Sequence, residues 1–334
     1  MSSALPGLPD VDDALAQRIV AELGTVEERL RESVAVDDAM VSWTARHLMD
    51  AGGKRVRPML TLLAGALGNE PSERTIDAAV LVELTHLASL YHDDVMDSAP
   101  TRRGARSAHE VWSNSVAILT GDFLFARASA LSSSLGPRAV LLHSATFEQL
   151  CLGQLRETVG VRDGDDPFAH YLDVLDGKTA SLIALAGELG ALCGGAADQI
   201  ADIMRDYGHK VGIAFQLADD VLDLRSDADT SGKTPGTDLR EGVPTMPTLL
   251  LRRRAADGDA AAQSIVERID GDLSDDAELA AVVAQLRADP SLEEAHELAQ
   301  KYGREAIDLL AQLPPGPVRD ALDVFTRTLI DRAA

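Results

Sequence analysis

Apolar residues recur at helical spacing along almost the whole chain, and this pattern limits the possible folds more than any other feature. Clear examples occur in four stretches, Ile76–Leu84, Val116–Phe123, Ile183–Leu192 and Val211–Val221. Several stretches are apolar on nearly all sides, as expected for helices inside a bundle. Aromatic residues make up only 4% of the chain, and alanine and leucine dominate the apolar runs. Because strands are enriched in aromatic and β-branched residues, the sequence predicts an all-α protein.

Turn-forming residues interrupt the helical runs, but no long low-complexity linker separates them. The longest interruption, residues 226–247, is polar and is expected to act as a lid or binding loop. The sequence therefore predicts one helical domain over residues 28–334. Residues 1–27 are expected to form an N-terminal extension that leads into the first helix.

The charge balance limits the partners that the chain can have. The 334 residues carry a formal net charge of −23, which repels nucleic acid, anionic lipid and phosphorylated substrates alike. We therefore expect no nucleic-acid partner, and a phosphorylated substrate would need local cations or metal ions. The two cysteines, Cys151 and Cys193, lack metal-ligand spacing and are expected to be reduced. Because neither a signal peptide nor a membrane-spanning run is recognisable, a soluble cytoplasmic protein is expected.

The acidic pattern Asp-Asp-x-x-Asp occurs twice, at Asp93–Asp97 and at Asp219–Asp223. In a helix its first and last aspartates lie on the same face. A solvated acidic helix end is the alternative interpretation. Like charges four residues apart destabilise a helix, however, and the carboxyl end of a helix favours cations over anions. The repeated pattern therefore indicates bound cations, and carboxylates without histidine or cysteine favour magnesium or manganese.

Basic residues are scarce but cluster near these acidic patterns. Magnesium in proteins is typically bound by few carboxylates together with substrate phosphates, so nearby cations are candidate diphosphate ligands. Taken alone, each basic cluster would more simply be a solubilising surface patch. Lys178 and Lys233 are expected in polar or glycine-bearing turns. The candidates are Lys54 and Arg57 beside Gly52-Gly53, Arg102 and Arg103 after the first acidic pattern, Lys178 with Thr179, and Lys233.

Two further polar residues lie one or two helical turns from the acidic patterns. His86 precedes Asp93 on the same face and is a candidate donor to a diphosphate, although a lone histidine is more often structural. Gln216 precedes Asp219 by one turn and is a candidate for orienting an electron-poor intermediate, or else a plain amide at the edge of the core. His92 is predicted to be structural.

Taken in order, these motifs resemble those of the trans-isoprenyl (polyprenyl) diphosphate synthase family. The similarity extends from about Glu28 onward and implies a single large antiparallel helix bundle around a deep central cavity, usually as a homodimer. The motifs are GGKRVRP (Gly52–Pro58), HLASLYHDDVMD (His86–Asp97), RRG (Arg102–Gly104), GDFLFARA (Gly121–Ala128), KTA (Lys178–Ala180), FQLADDVLD (Phe215–Asp223), GK (Gly232-Lys233) and GTDLREG (Gly236–Gly242).

The resemblance also implies a role for each matching residue. Asp93, Asp97 and Asp219 would bind Mg²⁺, about three ions in all once substrate is present, with Asp220 and Asp223 in support of Asp219. Asp94, like Asp220, lies about 100° round its helix and is placed to support the metal ligands without sharing their position. Isopentenyl diphosphate would be held by Lys54, Arg57, His86 and Arg103. The allylic diphosphate would be contacted by Arg102, Lys178 and Lys233, and Thr179 and Gln216 would lie near the reacting carbon. The implied reaction is ionisation of the allylic diphosphate followed by attack of the isopentenyl double bond.

Product length is predicted from the helix that leads into Asp93. Ala88 and Ser89, five and four residues earlier, are small, whereas short-chain members of the family typically have a bulky aromatic residue at one of these positions. An open groove running past Thr85 to Leu81 over about 12 residues would be roughly 18 Å deep. The prediction is a hexaprenyl to decaprenyl product, released toward a membrane, with geranylgeranyl diphosphate as the alternative.

Three other functions fit the sequence less well. A class I terpene cyclase would not need Lys54, Arg57 and His86 for a second diphosphate. An HD-type phosphohydrolase, suggested by His92-Asp93, needs further histidines and aspartates in its own arrangement. A non-catalytic subunit or cation-binding bundle should have eroded motifs, whereas both acidic patterns are complete here.

Overall fold

In the computed structural model, which describes residues 11–69, 73–225 and 235–331, α-helices form nearly all of the regular structure. The prediction of an all-α fold is confirmed. The elements are α1 (Asp13–Ser33), α2 (Ala39–Asp50), α3 (Val56–Gly65), α4 (Glu73–Met96), β1 (Thr101–Arg102), β2 (Ala105–Arg106), α5 (Ala108–Val111), α6 (Asn114–Leu135), α7 (Pro137–Val159), α8 (Pro167–Leu175), a π-helical turn (Asp176–Ala180), α9 (Ser181–Cys193), α10 (Asp198–Arg225), α11 (Thr237–Glu241), α12 (Met246–Ala256), α13 (Ala260–Ile269), α14 (Asp276–Ala288), α15 (Pro290–Leu310) and α16 (Pro317–Ile330).

Aspartates begin many of these helices, which accounts for part of the acidic composition. Each accepts a hydrogen bond from a backbone N–H of the first turn that would otherwise lack a helical partner. These N-caps are Asp12, Asp38, Asp166, Asp259, Asp275 and Asp289. Among the described helices, none is long and apolar enough to cross a membrane.

The described residues fall into two compact units. Unit 1 takes the chain up to Glu148 together with Leu182–Gly208 and Gln312–Leu322, and unit 2 takes Gln149–Ser181, His209–Ala311 and the residues from Asp323 onward. Residues 27 and 28 both lie inside α1, so a boundary at that place would divide a continuous helix.

In unit 1, α4 is buried along most of its length and packs against α1, α3 and α6. Its weak segregation of polar and apolar faces follows from this central place. Tyr91 joins α4 to α2, because its hydroxyl group donates to the carbonyl of Thr44 and accepts from the N–H of Leu48 at 3.3 Å. The α3–α9 contact is close: a Cβ added to Gly190 would lie 2.3 Å from the carbonyl oxygen of Thr61.

In unit 2, one hydrophobic core collects side chains from the end of α10 and from α12 to α15. Leu217 and Val221 of α10 are fully buried in it, beside Leu251 of α12 and Leu286 of α14. These apolar residues turn one side of α10 toward the core, so the polar residues that lie between them near the end of α10 face other directions. Those polar residues include the second acidic pattern.

Candidate active site

The first acidic pattern lies at the carboxyl end of α4, where the sequence places it. Asp93 is half-buried in the last turn, and Asp97 is exposed directly after the helix, with its N–H donating to the carbonyl of Asp93 at 2.8 Å. Asp94 is completely buried. The two aspartates that were predicted to share a face are thus presented outward, while the middle one points into unit 1.

Asp94 is held by an arginine of the next motif. Its Oδ1 accepts a hydrogen bond from Nε of Arg102 at 2.6 Å, which forms an ion pair on the buried carboxylate. Its Oδ2 is buried and has no hydrogen-bond partner among the described residues. Because an unpaired buried carboxylate oxygen is costly, this atom is available for a further donor or cation.

The RRG motif forms a two-residue hairpin turn. β1 and β2 pair antiparallel, with Thr101 opposite Arg106, and the turn residues Arg103 and Gly104 have φ angles of 53° and 77°. Positive φ at both central positions is typical of type I′ hairpin turns, and glycine adopts it without strain. The turn directs Arg103 back to the GGKR loop, where its Nη1 donates to the carbonyl oxygens of Gly52 and Leu48.

The cations of the GGKR loop differ in their surroundings. Arg55 is in the left-handed region and forms ion pairs with Glu27 and with buried Glu83. Burial raises the pKa of Glu83 even though Arg55, Arg57 and Arg103 lower it. Arg55 is therefore a structural residue that closes the loop onto α1 and α4. Lys54 is exposed.

His86 lies within the influence of the cations from both motifs. Burial and the positive charges of Arg57, Arg103, Arg102 and Arg55 lower the pKa of His86 well below its usual value. The side chain is consequently neutral at physiological pH and keeps one N–H donor. A concentration of arginines around a neutral donor is suited to a diphosphate, whose negative charge would relieve their mutual repulsion.

In unit 2, the second acidic pattern has the same division of roles as the first. Asp219 and Asp223 are half-buried, whereas Asp220 is only 4% exposed. The Asp220 carboxylate accepts hydrogen bonds from the hydroxyl of Tyr171 and, at 2.9 Å, from the N–H of Met246. Burial raises the pKa of Asp220 to about 7, although these hydrogen bonds lower it.

Lys178 and Thr179 lie in the π-helical turn that follows α8. The prediction of a loop-like turn at this place is wrong, because the chain stays helical through Asp176–Ala180 and only its hydrogen-bond spacing widens. Such π-turns are frequent at functional sites. Thr179 Oγ1 donates to Gln216 Oε1 at 3.3 Å, and Lys178 forms an ion pair with Glu157. The structure thus brings predicted Thr179 and Gln216 together.

The residues predicted to control product length lie in the packed interior of unit 1. Ser89 is half-buried, but Ala88 is fully buried, and so are Thr85 and Leu81 deeper along α4. The predicted open groove along Thr85 and Leu81 is therefore wrong, because neighbouring helices fill that space. The hydroxyl of Thr85 is hydrogen-bonded to Nε2 of His143 in α7 at 3.0 Å. Ser89 is the predicted position that remains accessible.

Comparison with known proteins identifies the family. A family model described as "Polyprenyl synthetase" matches residues 38–286. The chain belongs to the polyprenyl synthetase family. It is 42% identical over 325 residues to the nonaprenyl diphosphate synthase of Mycobacterium tuberculosis (strain ATCC 25618 / H37Rv), covering 97% of this chain and 96% of that protein.

Other members of the polyprenyl synthetase family are similar over nearly the whole chain. The heptaprenyl diphosphate synthase component 2 of Geobacillus stearothermophilus is 37% identical over 90% of this chain and 92% of its own length. A crystal structure of geranylgeranyl pyrophosphate synthase from Corynebacterium glutamicum, complexed with calcium and isoprenyl diphosphate, is 41% identical. It superposes with a TM-score of 0.86, covering 96% of this chain and 98% of that one. This polyprenyl synthetase is thus a prenyltransferase, and its isoprenoid-synthase helical fold is confirmed.

Some residues that contact the candidate site residues could not be identified from the sequence. Tyr171 precedes Lys178 by two turns and has no spacing relation to Asp220, so only the tertiary structure reveals their contact. Glu83 and Glu157 carried no motif signal, although each pairs with a cation of a recognised motif. Lys233 lies outside the described residues.

Proposed function

We propose that this prenyltransferase condenses isopentenyl diphosphate with an allylic diphosphate by magnesium-assisted ionisation and trans elongation, releasing diphosphate. The observation that carries the proposal is the arginine cluster around His86, two turns before Asp93 on the same helix. A cyclase, which takes one diphosphate, has no use for this second anion site. The crystal structure from Corynebacterium glutamicum, which is complexed with calcium and isoprenyl diphosphate, supports a divalent cation together with this substrate class.

The residues present fit magnesium. Asp93, Asp97 and Asp219 offer carboxylate oxygens, which are hard ligands. Within residues 11–69, 73–225 and 235–331, no three histidine, cysteine or acidic side chains lie close enough together to hold a metal ion without further ligands. That is the expected state for Mg²⁺, which binds to few protein carboxylates and takes further ligands from substrate phosphates. When bound, the metal would neutralise negative charge on the leaving diphosphate. The number of ions, about three, comes from the family resemblance.

The chain's own residues would bind and orient the two substrates. Lys54, Arg57 and Arg103 hold the isopentenyl diphosphate by charge-assisted hydrogen bonds, and neutral His86 donates one more. Because burial and the neighbouring arginines lower its pKa well below the usual value, His86 is neutral at physiological pH. Its N–H donates without adding a charge that the arginines would repel.

On the allylic side, the family resemblance assigns Arg102, Lys178 and Lys233 to the diphosphate that departs with the electron pair of its carbon–oxygen bond. Thr179 and Gln216, which are hydrogen-bonded to each other, place polar oxygens near the reacting carbon. The isopentenyl double bond attacks that carbon, and the proton lost from the isopentenyl unit passes to the departing diphosphate. A side-chain general base is not required.

The product is proposed to be hexaprenyl to decaprenyl diphosphate. The relatives named nonaprenyl diphosphate synthase and heptaprenyl diphosphate synthase component 2 support this range, and so does the small side chain of Ser89. Geranylgeranyl diphosphate is the alternative, which the Corynebacterium glutamicum structure represents. A product of this length partitions into lipid, so release from the cytoplasm toward a membrane follows from its chemistry.

A homodimer is the proposed assembly. In unit 1, Leu119 of α6 is 66% exposed and Leu141 of α7 is 71% exposed, with Ile118, Val140 and Phe147 also exposed on these helices. Large apolar surfaces of this kind mark protein interfaces. Leu141→Asp should yield a monomer in light scattering coupled to size exclusion, whereas Val20→Asp, at an exposed site of α1, should not. A wild-type monomer would contradict the assembly.

The reaction is tested by incubating the purified protein with labelled isopentenyl diphosphate and geranyl, farnesyl or geranylgeranyl diphosphate, with Mg²⁺ or with EDTA. Chromatography of the dephosphorylated products gives both activity and length. Asp93→Asn and Asp219→Asn should each lose at least about 100-fold in kcat. Asp206→Asn, on the exposed surface of α10, is the matched control and should retain wild-type kcat.

Two negative outcomes separate the alternatives. A cyclised, unelongated hydrocarbon product would favour a class I terpene cyclase. Because one relative is named a component 2, inactivity of the purified chain that is restored by a second protein would indicate a subunit of a two-protein synthase. No Mg²⁺-dependent elongation under either condition would refute the proposed reaction.

A further inference from the structure

The middle aspartate of the second acidic pattern is separated from its neighbours by burial. Successive residues of a helix are rotated by about 100°, so Asp220 cannot share the face of Asp219 and Asp223. Those two remain half-buried, while Asp220 is 4% exposed. Asp220 therefore contacts the protein interior and determines how the other two aspartates are presented.

Two groups on other helices of unit 2 hold the Asp220 carboxylate, in addition to the side chain of Gln216 on α10 itself, and both donate to the same oxygen. Oδ2 accepts from the hydroxyl of Tyr171 in α8 and from the N–H of Met246, the first residue of α12. The N-terminus of a helix stabilises a carboxylate. Thr245 and Thr248 form a capping box there, which keeps the first turn of α12 in place. Asp220 is thus attached to two helices at once.

This attachment fixes the rotation of α10 about its own axis. A small rotation would break both hydrogen bonds and leave a buried carboxylate with unsatisfied acceptors, which is strongly unfavourable. Apolar packing of Leu217 and Val221 alone is less specific, because apolar contacts have no direction. The hydrogen bonds of Asp220 therefore supply the orientation for the carboxylates of Asp219 and Asp223.

The first acidic pattern has the same arrangement with a different donor. There the middle aspartate, Asp94, is completely buried and is held by the guanidinium group of Arg102. In the second pattern the side-chain donor from another helix is the neutral phenol of Tyr171. Replacing Tyr171 with phenylalanine removes one hydroxyl group while it keeps the ring and the charge balance, so its effect can be interpreted directly.

We propose that Tyr171 is a positioning residue for magnesium binding at the second acidic pattern, acting through Asp220. This inference rests on the proposed function, in which Asp219 binds Mg²⁺. Tyr171 touches neither metal nor substrate in this role. Loss of its hydroxyl group should weaken metal binding, since the partners that orient metal ligands typically account for about 10- to 100-fold in affinity or activity.

The experiment compares Tyr171→Phe with Tyr207→Phe. Tyr207 is also fully buried, and its hydroxyl donates to the carbonyl of Leu322 at 2.9 Å, away from any acidic pattern. Both variants lose a buried phenolic hydroxyl group that donates a hydrogen bond and should lose similar thermal stability in the absence of metal. Only Tyr171→Phe should raise the Mg²⁺ concentration for half-maximal kcat, by about 10-fold or more, with the KM for isopentenyl diphosphate nearly unchanged.

A second readout does not depend on turnover. Calorimetric titration of Mg²⁺ into protein saturated with a non-hydrolysable bisphosphonate should show the same 10-fold weakening for Tyr171→Phe alone. If Tyr171→Phe is insoluble, Thr248→Val can replace it, because this change removes the capping box at the start of α12. Thr248→Val should raise the Mg²⁺ concentration for half-maximal kcat by a smaller factor. Unchanged Mg²⁺ dependence in a folded variant overturns the inference while the proposed function stands. A wild type without Mg²⁺-dependent elongation overturns the proposed function itself.

Discussion

Replacing Gly153 with alanine should disturb the π-helical turn that carries Lys178 and Thr179. Gly153 of α7 lies against the backbone of this turn, where an added Cβ would meet the backbone nitrogen of Lys178 at 2.6 Å and the carbonyl carbon of Gly177 at 2.8 Å. Ordinary contacts begin at 3.4 Å, so the shortest of these must lengthen by about 0.8 Å. Because the obstacle is backbone, a side-chain rotation cannot relieve the clash.

The cost of this substitution can be set against a matched control. Overpacking of a filled interior destabilises by about 1–3 kcal/mol, partly offset by about 0.5–1 kcal/mol from replacing a helical glycine with alanine. Gly24, in α1, has no atom within 4 Å of an added Cβ. Gly24→Ala should therefore be neutral or stabilising by about 0.5–1 kcal/mol, while Gly153→Ala should lose about 0.5–2 kcal/mol in urea unfolding.

Activity gives a second, independent measure. Displacing catalytic groups by about 1 Å can reduce rate by about 100-fold, so the kcat of Gly153→Ala should fall by about 10- to 100-fold with KM for isopentenyl diphosphate less affected. Gly24→Ala should keep wild-type kcat. Wild-type stability together with wild-type kcat for Gly153→Ala would refute the tight contact with the turn. Lost stability with unchanged kcat would instead refute the roles of Lys178 and Thr179.

Three further predictions follow from unit 1. Ser89→Phe should shorten the product, as measured by chromatography, and Ser89→Ala should leave its length unchanged. Ser89 is the accessible position, whereas Ala88 has no space for a larger side chain. Equal product lengths for the two variants would show that Ser89 does not control length. Glu83→Gln should destabilise by about 1–3 kcal/mol in urea unfolding, since it removes one of the two carboxylates that pair with Arg55 and leaves Glu27 as the other. The exposed-pair variant Asp323→Asn should lose under about 1 kcal/mol. Burial lowers the pKa of His143, so as pH falls this histidine is protonated in the unfolded chain at a higher pH than in the folded chain. The folded state therefore loses stability as pH falls below about 6.5, the ordinary pKa of histidine. The difference in Tm between wild type and His143→Gln should change as pH falls from 7 to 5, and a constant difference would contradict the pKa shift.

Much of the fold follows from patterns of short range. The period of the apolar residues determines helices, and glycine and proline mark their ends, so the all-α class was predictable. The acidic patterns at the carboxyl ends of α4 and α10 were predictable for the same reason, because spacing alone places their first and last aspartates on one face. The π-helical turn was not predictable, since its residues differ little from those of an ordinary helix or loop.

Contacts between distant segments account for what the sequence could not provide. The pairing of Tyr171 with Asp220 joins residues 49 positions apart, and that of Arg55 with Glu83 joins residues 28 apart. No periodicity connects such positions. The open groove along α4 was wrongly predicted for the same reason: side chains of moderate size at Thr85 and beyond suggest a groove only if nothing else fills the space. The neighbouring helices that fill it are set by tertiary packing.

The two acidic patterns illustrate why a motif of three carboxylates need not supply three metal ligands. Two like charges at one helix end already repel one another, and a third on the same face would raise the pKa of all of them. Turning the middle aspartate inward removes it from this repulsion, provided that the interior donates hydrogen bonds to it. Arg102 donates to Asp94, and Tyr171 with Met246 to Asp220. The charge that would weaken metal binding at the surface thus becomes the attachment that orients the outer carboxylates, and the middle position requires an acid for reasons of structure.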